Sequence, residues 1–388
     1  MRFAITMLAA TLSYGGAAQA AGAPPPKRDL ELKAPDGVSL KASFFASDRP
    51  GPGVLLLHQC GNGGRQPWDG LGSRLAAAGV HVLTLDYRGF GESGGERYES
   101  ADAAGRRALM DKWPADFDIA LQFLLDQPGV DRARVGAGGA SCGVDNSIRL
   151  SMRHPEVKAV VALSGMTFQA GLDHIRRSEQ LRLFAASSED DFGFVAYMRW
   201  MLLFSRNPWN KLVEYARAGH GTDMFAVEKD LEPQIVEWLV TALQESSEVS
   251  PATASAASPH PMLEAWTALT GPDGVSRASR LLEETRRRDP GAVFLPELAI
   301  RMLAYEHQQS GDAGTELEVL RFGVEAYPGS PMMYDRLASL ELEADQPEKA
   351  LEHTRKALQL LDLDTTLGAE RKQLIRNRAQ QRLKRLQP

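Results

Sequence analysis

The sequence has no strong net charge, no long apolar run and only two cysteines. Its 388 residues include 44 Lys and Arg against 50 Asp and Glu, and the net charge of −6 argues against a nucleic-acid-binding surface. The apolar run over residues 3–12 is too short to cross a bilayer, so no stable membrane insertion is expected. With 43% hydrophobic and 24% charged residues, the composition is typical of a folded globular protein with room for two domains.

The first 20 residues have the pattern of a secretory signal peptide. Arg2 precedes the apolar run, and Ala18-Gln19-Ala20 offers the small residues of a cleavage site. No cysteine is present at this point to accept a lipid. The pattern predicts a signal peptide over residues 1–20 and a mature protein that is exported, either to the periplasm or out of the cell.

The most informative motif is Gly139-Ala140-Ser141-Cys142-Gly143, which matches G-x-S-x-G. An apolar, glycine-rich run precedes it and a helical pattern follows it. This context predicts a sharp strand-to-helix turn, where glycines leave room for a serine in strained backbone geometry. Ser141 is therefore the candidate nucleophile. A dinucleotide-binding loop is the competing interpretation, but Ser141 occupies its third glycine position and the next strand ends without an acidic residue.

Strand and helix patterns alternate from Leu30 to Leu243. This alternation predicts a three-layer α/β fold with a mostly parallel sheet. Residues 244–261 are rich in Ser, Ala, Thr and Pro and have almost no large apolar side chain, which is typical of a linker. We therefore predict a catalytic domain over residues 27–243, a linker over 244–261 and a second domain over 262–388.

The second domain shows a 34-residue periodicity of small residues. Ala338, Ala350 and Ala357 fit the small, tightly packed positions of tetratricopeptide repeats, and a shift by one period leads to Ala304 and Gly323. Small residues at these positions let antiparallel helices approach closely. Residues 296–364 thus resemble two such repeats and predict an all-α domain, with a helical bundle of another kind as the alternative. Such repeats suggest binding of a protein partner or self-association.

Four segments together resemble the α/β-hydrolase family, and within it the dienelactone-hydrolase branch. They are His58-Gln59-Cys60-Gly61, which is similar to the oxyanion loop of the family, the turn at residues 86–93, the serine motif at 139–143 and Ala218-Gly219-His220-Gly221. One departure from the family pattern is Gln59, which replaces the usual glycine of the oxyanion loop.

The resemblance implies a role for each candidate site residue. Ser141 is the nucleophile, His220 is the general base, and Asp190 is the carboxylate that orients the imidazole. Asp191 is the alternative to Asp190, because the acidic loop allows a shift of one residue. The neighbouring His58 ends a strand and is expected to support its loop rather than to perform chemistry.

The resemblance also implies that the backbone N–H groups of Cys60 and Cys142 form the oxyanion hole, with Gln59 as the alternative to Cys60. Both cysteines follow strand ends that the fold brings together, in a protein predicted to enter an oxidising compartment. A disulfide and two free thiols both remain open, since a bridge needs Cα atoms about 4.4–6.8 Å apart and would affect the oxyanion hole. Cys142 as nucleophile is disfavoured because its offset aims it away from the histidine.

Taken together, the resemblance predicts a serine hydrolase that cleaves a carboxylic ester or related acyl bond of a small molecule. The reaction would pass through an acyl-enzyme at Ser141, and no metal or organic cofactor is implied. A peptidase or acyl transferase on the same triad is one alternative. The other is a scaffold without catalytic activity that binds a protein through its helices.

Overall fold

The structure is a computed structural model that describes residues 27–61, 63–244 and 260–386. The predicted signal peptide and most of the predicted linker lie outside these residues, so both remain predictions. Within the described ranges, no helix combines the length and the apolar character that a membrane crossing requires.

Eight strands and fifteen α-helices occur in the described residues. The strands are β1 (Arg28–Lys33), β2 (Ser39–Phe45), β3 (Gly51–Leu57), β4 (His81–Leu85), β5 (Val130–Ala140), β6 (Val157–Leu163), β7 (Arg182–Ser188) and β8 (Lys211–Tyr215). The helices among and after these strands are α1 (Asp69–Ala77), α2 (Ala103–Met110), α3 (Trp113–Leu125), α4 (Cys142–Arg153), α5 (Gln169–Arg177), α6 (Phe194–Leu202), α7 (Met224–Val227) and α8 (Leu231–Gln244). The helices of the C-terminal part are α9 (Pro261–Leu269), α10 (Gly274–Arg288), α11 (Glu297–Ser310), α12 (Ala313–Ala326), α13 (Pro331–Glu343), α14 (Pro347–Leu363) and α15 (Ala369–Leu386).

The eight strands form one sheet in the order β1-β2-β4-β3-β5-β6-β7-β8. The pairs β1–β2 and β2–β4 are antiparallel, and all other pairs are parallel. Every residue of β3 is buried, as expected of a parallel strand that is covered on both faces. The predicted three-layer α/β fold with a mostly parallel sheet is confirmed.

Helices cover both faces of the sheet. The core on one face includes Leu71 of α1 and Ile235 of α8. The core on the other face includes Phe117 of α3 and Ile148 of α4. Because β3, β5, β7 and β8 all run in one direction, the loops that follow them meet at the same edge of the sheet. The predicted site residues lie on these loops or, in the case of Cys142, at the start of the helix that follows β5.

The C-terminal part is entirely helical in its described residues. The starts of α11 and α13 are 34 residues apart, and so are the starts of α12 and α14, which agrees with the predicted period. Small residues are buried between these helices, and a Cβ atom on Gly323 would lie only 2.9 Å from Met333 Sδ. The all-α class is confirmed, whereas the assignment to tetratricopeptide repeats stays a prediction.

The helical domain packs directly on the sheet domain. The indole rings of Trp200 in α6 and Trp266 in α9 meet edge to face, with centroids 4.9 Å apart. At the start of α5, the Gln169 N–H donates to Glu306 Oε2 of α11 at 3.1 Å. One buried apolar cluster continues from the sheet domain into α9–α13, so the two domains share a core.

Candidate active site

Ser141 lies at the sharp turn between β5 and α4. Its backbone has φ 53° and ψ −118°, a conformation that is strained for any residue with a side chain. The turn is possible because its neighbours are glycines. A Cβ atom on Gly139 would lie 1.9 Å from Gly143 O, and one on Gly143 would lie 2.5 Å from Leu57 O. The motif therefore forms the strained strand-to-helix turn that the sequence predicted.

A disulfide joins Cys60, after β3, to Cys142, the first residue of α4. Their Cα atoms are 5.8 Å apart, within the range that a bridge requires. With the bridge formed, neither the Cys60 N–H nor the Cys142 N–H donates a hydrogen bond within the described residues. The Cys142 N–H is also at a helix start, where an amide has no acceptor in its own helix. Two unpaired donors are thus held together beside Ser141.

The carboxylate that contacts the histidine is Asp191. His220 Nδ1 lies 2.8 Å from Asp191 Oδ2 and 3.0 Å from Oδ1, and the Asp191 side chain is only 2% exposed. This corrects the assignment of Asp190 to that position. Asp190 is exposed and instead accepts hydrogen bonds from Ser188 Oγ and from the Gly219 N–H. A turn closed by the Asp191 N–H and Ser188 O points successive acidic side chains in different directions.

His220 lies at the same edge of the sheet as Ser141, but the two side chains are not hydrogen-bonded to each other. A Cβ atom on Gly221 would lie 3.3 Å from the Cβ of Ala140, so the histidine loop packs beside the residue that precedes the serine. The Ser141 hydroxyl makes no hydrogen bond within the described residues. The ring of Phe194 lies against the imidazole, with centroids 5.3 Å apart.

Gln59 connects the oxyanion loop to the histidine loop. Its Oε1 accepts hydrogen bonds from the Thr222 N–H at 3.1 Å and from Thr222 Oγ1 at 3.3 Å. Gly221 leaves the necessary space, since a Cβ atom there would lie 2.2 Å from Gln59 Oε1. The sequence did not indicate this connection: in it, Gln59 is a departure from the usual glycine and the alternative to Cys60 as an oxyanion donor. The sole available signal was an amide side chain at a place where glycine is usual.

His58 is buried and holds the oxyanion loop in place, as the sequence predicted. Its Nδ1 donates to Gln59 O at 2.7 Å, and its Nε2 accepts from the Tyr87 N–H at 3.0 Å. These partners require the neutral imidazole, because a carbonyl can only accept and an amide N–H can only donate. Burial is the largest cause that lowers the pKa of His58 from 6.5 to about 4. The His58 ring is therefore uncharged at neutral pH.

No group of three or more His, Cys, Asp or Glu side chains in the described ranges has the arrangement of a metal site. Residues 53–188, which include β3 to β7 and Ser141, match the family model described as the alpha/beta hydrolase fold. This part of the chain has the alpha/beta hydrolase fold.

The chain is also similar to several known proteins. The chain is 31% identical over 150 residues to an uncharacterized protein of Mycobacterium tuberculosis, an alignment that covers 38% of this chain and 50% of the relative. It is 25% identical over 138 residues to the thiohydrolase aneE of Aspergillus aculeatus, covering 35% of this chain and 40% of that protein. The chain thus spans half or less of the length of these curated relatives. Among solved structures, dienelactone hydrolase from Anabaena variabilis is similar over 57% of this chain and 100% of its own, with 20% identity and a TM-score of 0.47.

The disulfide is expected to stabilise the α/β-hydrolase domain. It closes a loop of 82 residues, so its reduction should lower the free energy of unfolding by about 2–4 kcal/mol, because the unfolded chain gains conformational freedom. Urea titrations with and without a phosphine reductant measure this difference. The double variant Cys60→Ala/Cys142→Ala is the control and should not respond to the reductant. Two titratable thiols in the denatured, unreduced protein would contradict the bridge.

His58 is expected to make the domain less stable in acid. Because its pKa is about 4 when folded and near 6.5 when unfolded, the unfolded chain binds more protons between these values. The free energy of unfolding should therefore fall as the pH drops from about 6.5 to about 4, by about 1.4 kcal/mol per pH unit for this one proton. Urea titrations from pH 7.5 to 4.5 should show a shallower slope for His58→Gln than for the wild type.

The surface variant His154→Gln is the matched control for this measurement. His154 pairs with Asp118 and Glu156 at the surface, so its replacement should leave the His58 contribution in place. An unchanged slope in His58→Gln would mean that His58 is not the group that takes up the proton.

Proposed function

We propose that this protein is an exported serine hydrolase that cleaves a carboxylic ester or thioester through an acyl-enzyme at Ser141. The observation that carries the proposal is the convergence of three features at one edge of the sheet. These are a serine in a strained turn, a His220–Asp191 pair and the unpaired N–H groups of Cys60 and Cys142. Each feature supplies one requirement of acyl transfer.

In the proposed mechanism, Ser141 Oγ attacks the carbonyl carbon while His220 Nε2 takes the hydroxyl proton. Asp191 accepts a hydrogen bond from Nδ1 and so keeps Nε2 free to act as the base. The oxyanion accepts hydrogen bonds from Cys60 N–H and Cys142 N–H. His220 then gives its proton to the leaving alcohol or thiol, and a water molecule releases the acid by the same route.

The mechanism requires Ser141 Oγ to come within hydrogen-bond distance of His220 Nε2. Catalytic hydrogen bonds of this kind are often long or misaligned without substrate and tighten when substrate binds. The open contact is therefore compatible with catalysis, and the strained backbone of Ser141 keeps the hydroxyl at the sheet edge where substrate would enter.

Separate observations support export and the choice of acyl bond. Export is supported by the sequence pattern of residues 1–20 and by the Cys60–Cys142 disulfide, because such bridges persist in oxidising compartments. A thioester is included because one similar protein is named a thiohydrolase. Matched ester and thioester panels with the same acyl group, compared by kcat/KM, distinguish the two bonds.

A fluorophosphonate probe should label the mature protein at Ser141. We expect no labelling of Ser141→Ala, and a labelling rate at least about a hundredfold lower for His220→Ala, because the base that activates the hydroxyl is removed. Gel fluorescence and mass spectrometry of the labelled peptide measure both effects. Thermal melts confirm that the variants are folded.

Folded wild type that remains unlabelled would contradict the hydrolase proposal. That outcome would favour the scaffold alternative, in which the helical domain binds a protein partner. Labelling of Ser141 without turnover of any ester, thioester or peptide would instead favour an acyl transferase on the same residues.

The two neighbouring aspartates should differ sharply in their effect on activity. Asp191→Asn should lower kcat/KM by about 10³–10⁴, because the amide no longer holds His220 in the required tautomer. Asp190→Asn is the matched control and should change kcat/KM less than about tenfold, since Asp190 is exposed and does not contact the imidazole. The reverse order would restore Asp190 as the partner of His220.

A further inference from the structure

A cavity of about 580 Å³ lies between the sheet domain and the helical domain, beside the loop that carries Asp191. Phe192 and Ala196 line it from the sheet domain, and Leu298, Arg301 and Met332 are among the residues that line it from the helical domain. Apolar side chains form most of the wall. Its volume is in the range that holds a small organic molecule.

Arg301 of α11 is the cation of this wall, and its hydrogen-bonding capacity is unused. Its side chain is 21% exposed, and Glu297 Oε1 lies 4.0 Å from Nη1, beyond hydrogen-bond distance. The same Glu297 oxygen accepts a hydrogen bond from Ser330 Oγ at 2.7 Å. No hydrogen bond from the Arg301 guanidinium occurs within the described residues, although this group has five N–H donors.

A second guanidinium increases the positive charge beside the cavity. Arg371 of α15 lies over the ring of Phe192, with 4.9 Å between its Cζ and the ring centroid. Burial is the main cause that lowers the pKa of Arg301, and the charge of Arg371 acts in the same direction while Glu297 opposes it. An anion bound beside Arg301 would stabilise the charged guanidinium and so oppose both effects.

The other carboxylates that line the cavity make no hydrogen bond with the Arg301 guanidinium. The carboxylate of Asp364 accepts hydrogen bonds from the N–H groups of Thr366 at 2.9 Å and Leu367 at 2.7 Å, within its own turn. Glu189 is exposed to solvent. An apolar chamber with one under-used guanidinium matches a ligand that combines an apolar body with a single carboxylate.

We propose that this cavity binds an apolar carboxylic acid, whose carboxylate accepts hydrogen bonds from Arg301 and whose chain lies on the apolar wall. The site does not depend on catalysis at Ser141. Phe192 has φ 44°, a strained value for a non-glycine residue, and it directly follows Asp191. A ligand that contacts Phe192 is therefore in contact with the loop that positions Asp191.

Calorimetric titration of the full mature chain with octanoate, octan-1-ol and octylamine tests the proposal. We expect saturable binding of octanoate and weaker binding of the uncharged and cationic probes of equal chain length. Arg301→Gln should weaken octanoate binding at least about tenfold, because charge-assisted hydrogen bonds are lost. Arg287→Gln, which removes an exposed guanidinium from α10 outside the cavity, is the matched control and should bind as the wild type does.

A second variant tests the cavity itself. Ala196 is an exposed helical residue that lines the cavity, so Ala196→Phe should fill part of the space, weaken octanoate binding at least about tenfold and leave the fold intact by thermal melting. A carboxylic acid is also a product of the proposed hydrolase, and binding beside Ser141 would survive both substitutions. Unchanged octanoate affinity in Arg301→Gln, or tighter binding of octylamine than of octanoate, would overturn the proposal.

Discussion

The close approach of the start of α4 to the end of β3 is the constraint on which the site depends. Gly143 lies so near Leu57 O that even a methyl group would overlap it. This contact forces the chain to turn within one residue after β5, which places Ser141 in its strained conformation. It also brings Cys142 next to Cys60, so the disulfide forms across the same contact and holds it closed. One packing requirement thus accounts for three features: the position of the nucleophile, the disulfide, and the two neighbouring amide donors.

The loop after β3 is held by polar contacts on both sides, which is why it presents its amides in one orientation. The buried ring of His58 holds the loop by donating to Gln59 O and accepting from the Tyr87 N–H, and burial keeps this ring neutral. Gln59 also holds the loop, because its side chain accepts two hydrogen bonds from Thr222. Gln59 stands where glycine is usual in the family that the sequence resembles. Its side chain connects the oxyanion loop to the histidine loop, which a glycine could not do. In the proposed mechanism this link joins the oxyanion donors to the general base, so the two move as one unit.

The class of the fold and most strands could be predicted from the sequence, because buried parallel strands are continuous apolar runs and the helices between them have their own periodicity. Helix α2 has no apolar periodicity of this kind, because most of its residues are exposed and only Leu109 is buried. The choice between Asp190 and Asp191 failed because the path of a turn decides which side chain points inward, and adjacent identical residues carry no signal of that path. The disulfide was left open because it depends on the register that sets Leu57 opposite Gly139, a non-local property.

The segment from residue 189 to 194 contacts both the histidine of the candidate site and the last helix of the helical domain. Phe194 packs against the imidazole of His220, whereas Phe192, two residues earlier, packs against Arg371 of the last helix. Asp191 directly precedes Phe192 and is almost fully buried. The loop that positions Asp191 against His220 is therefore in direct contact with the last helix.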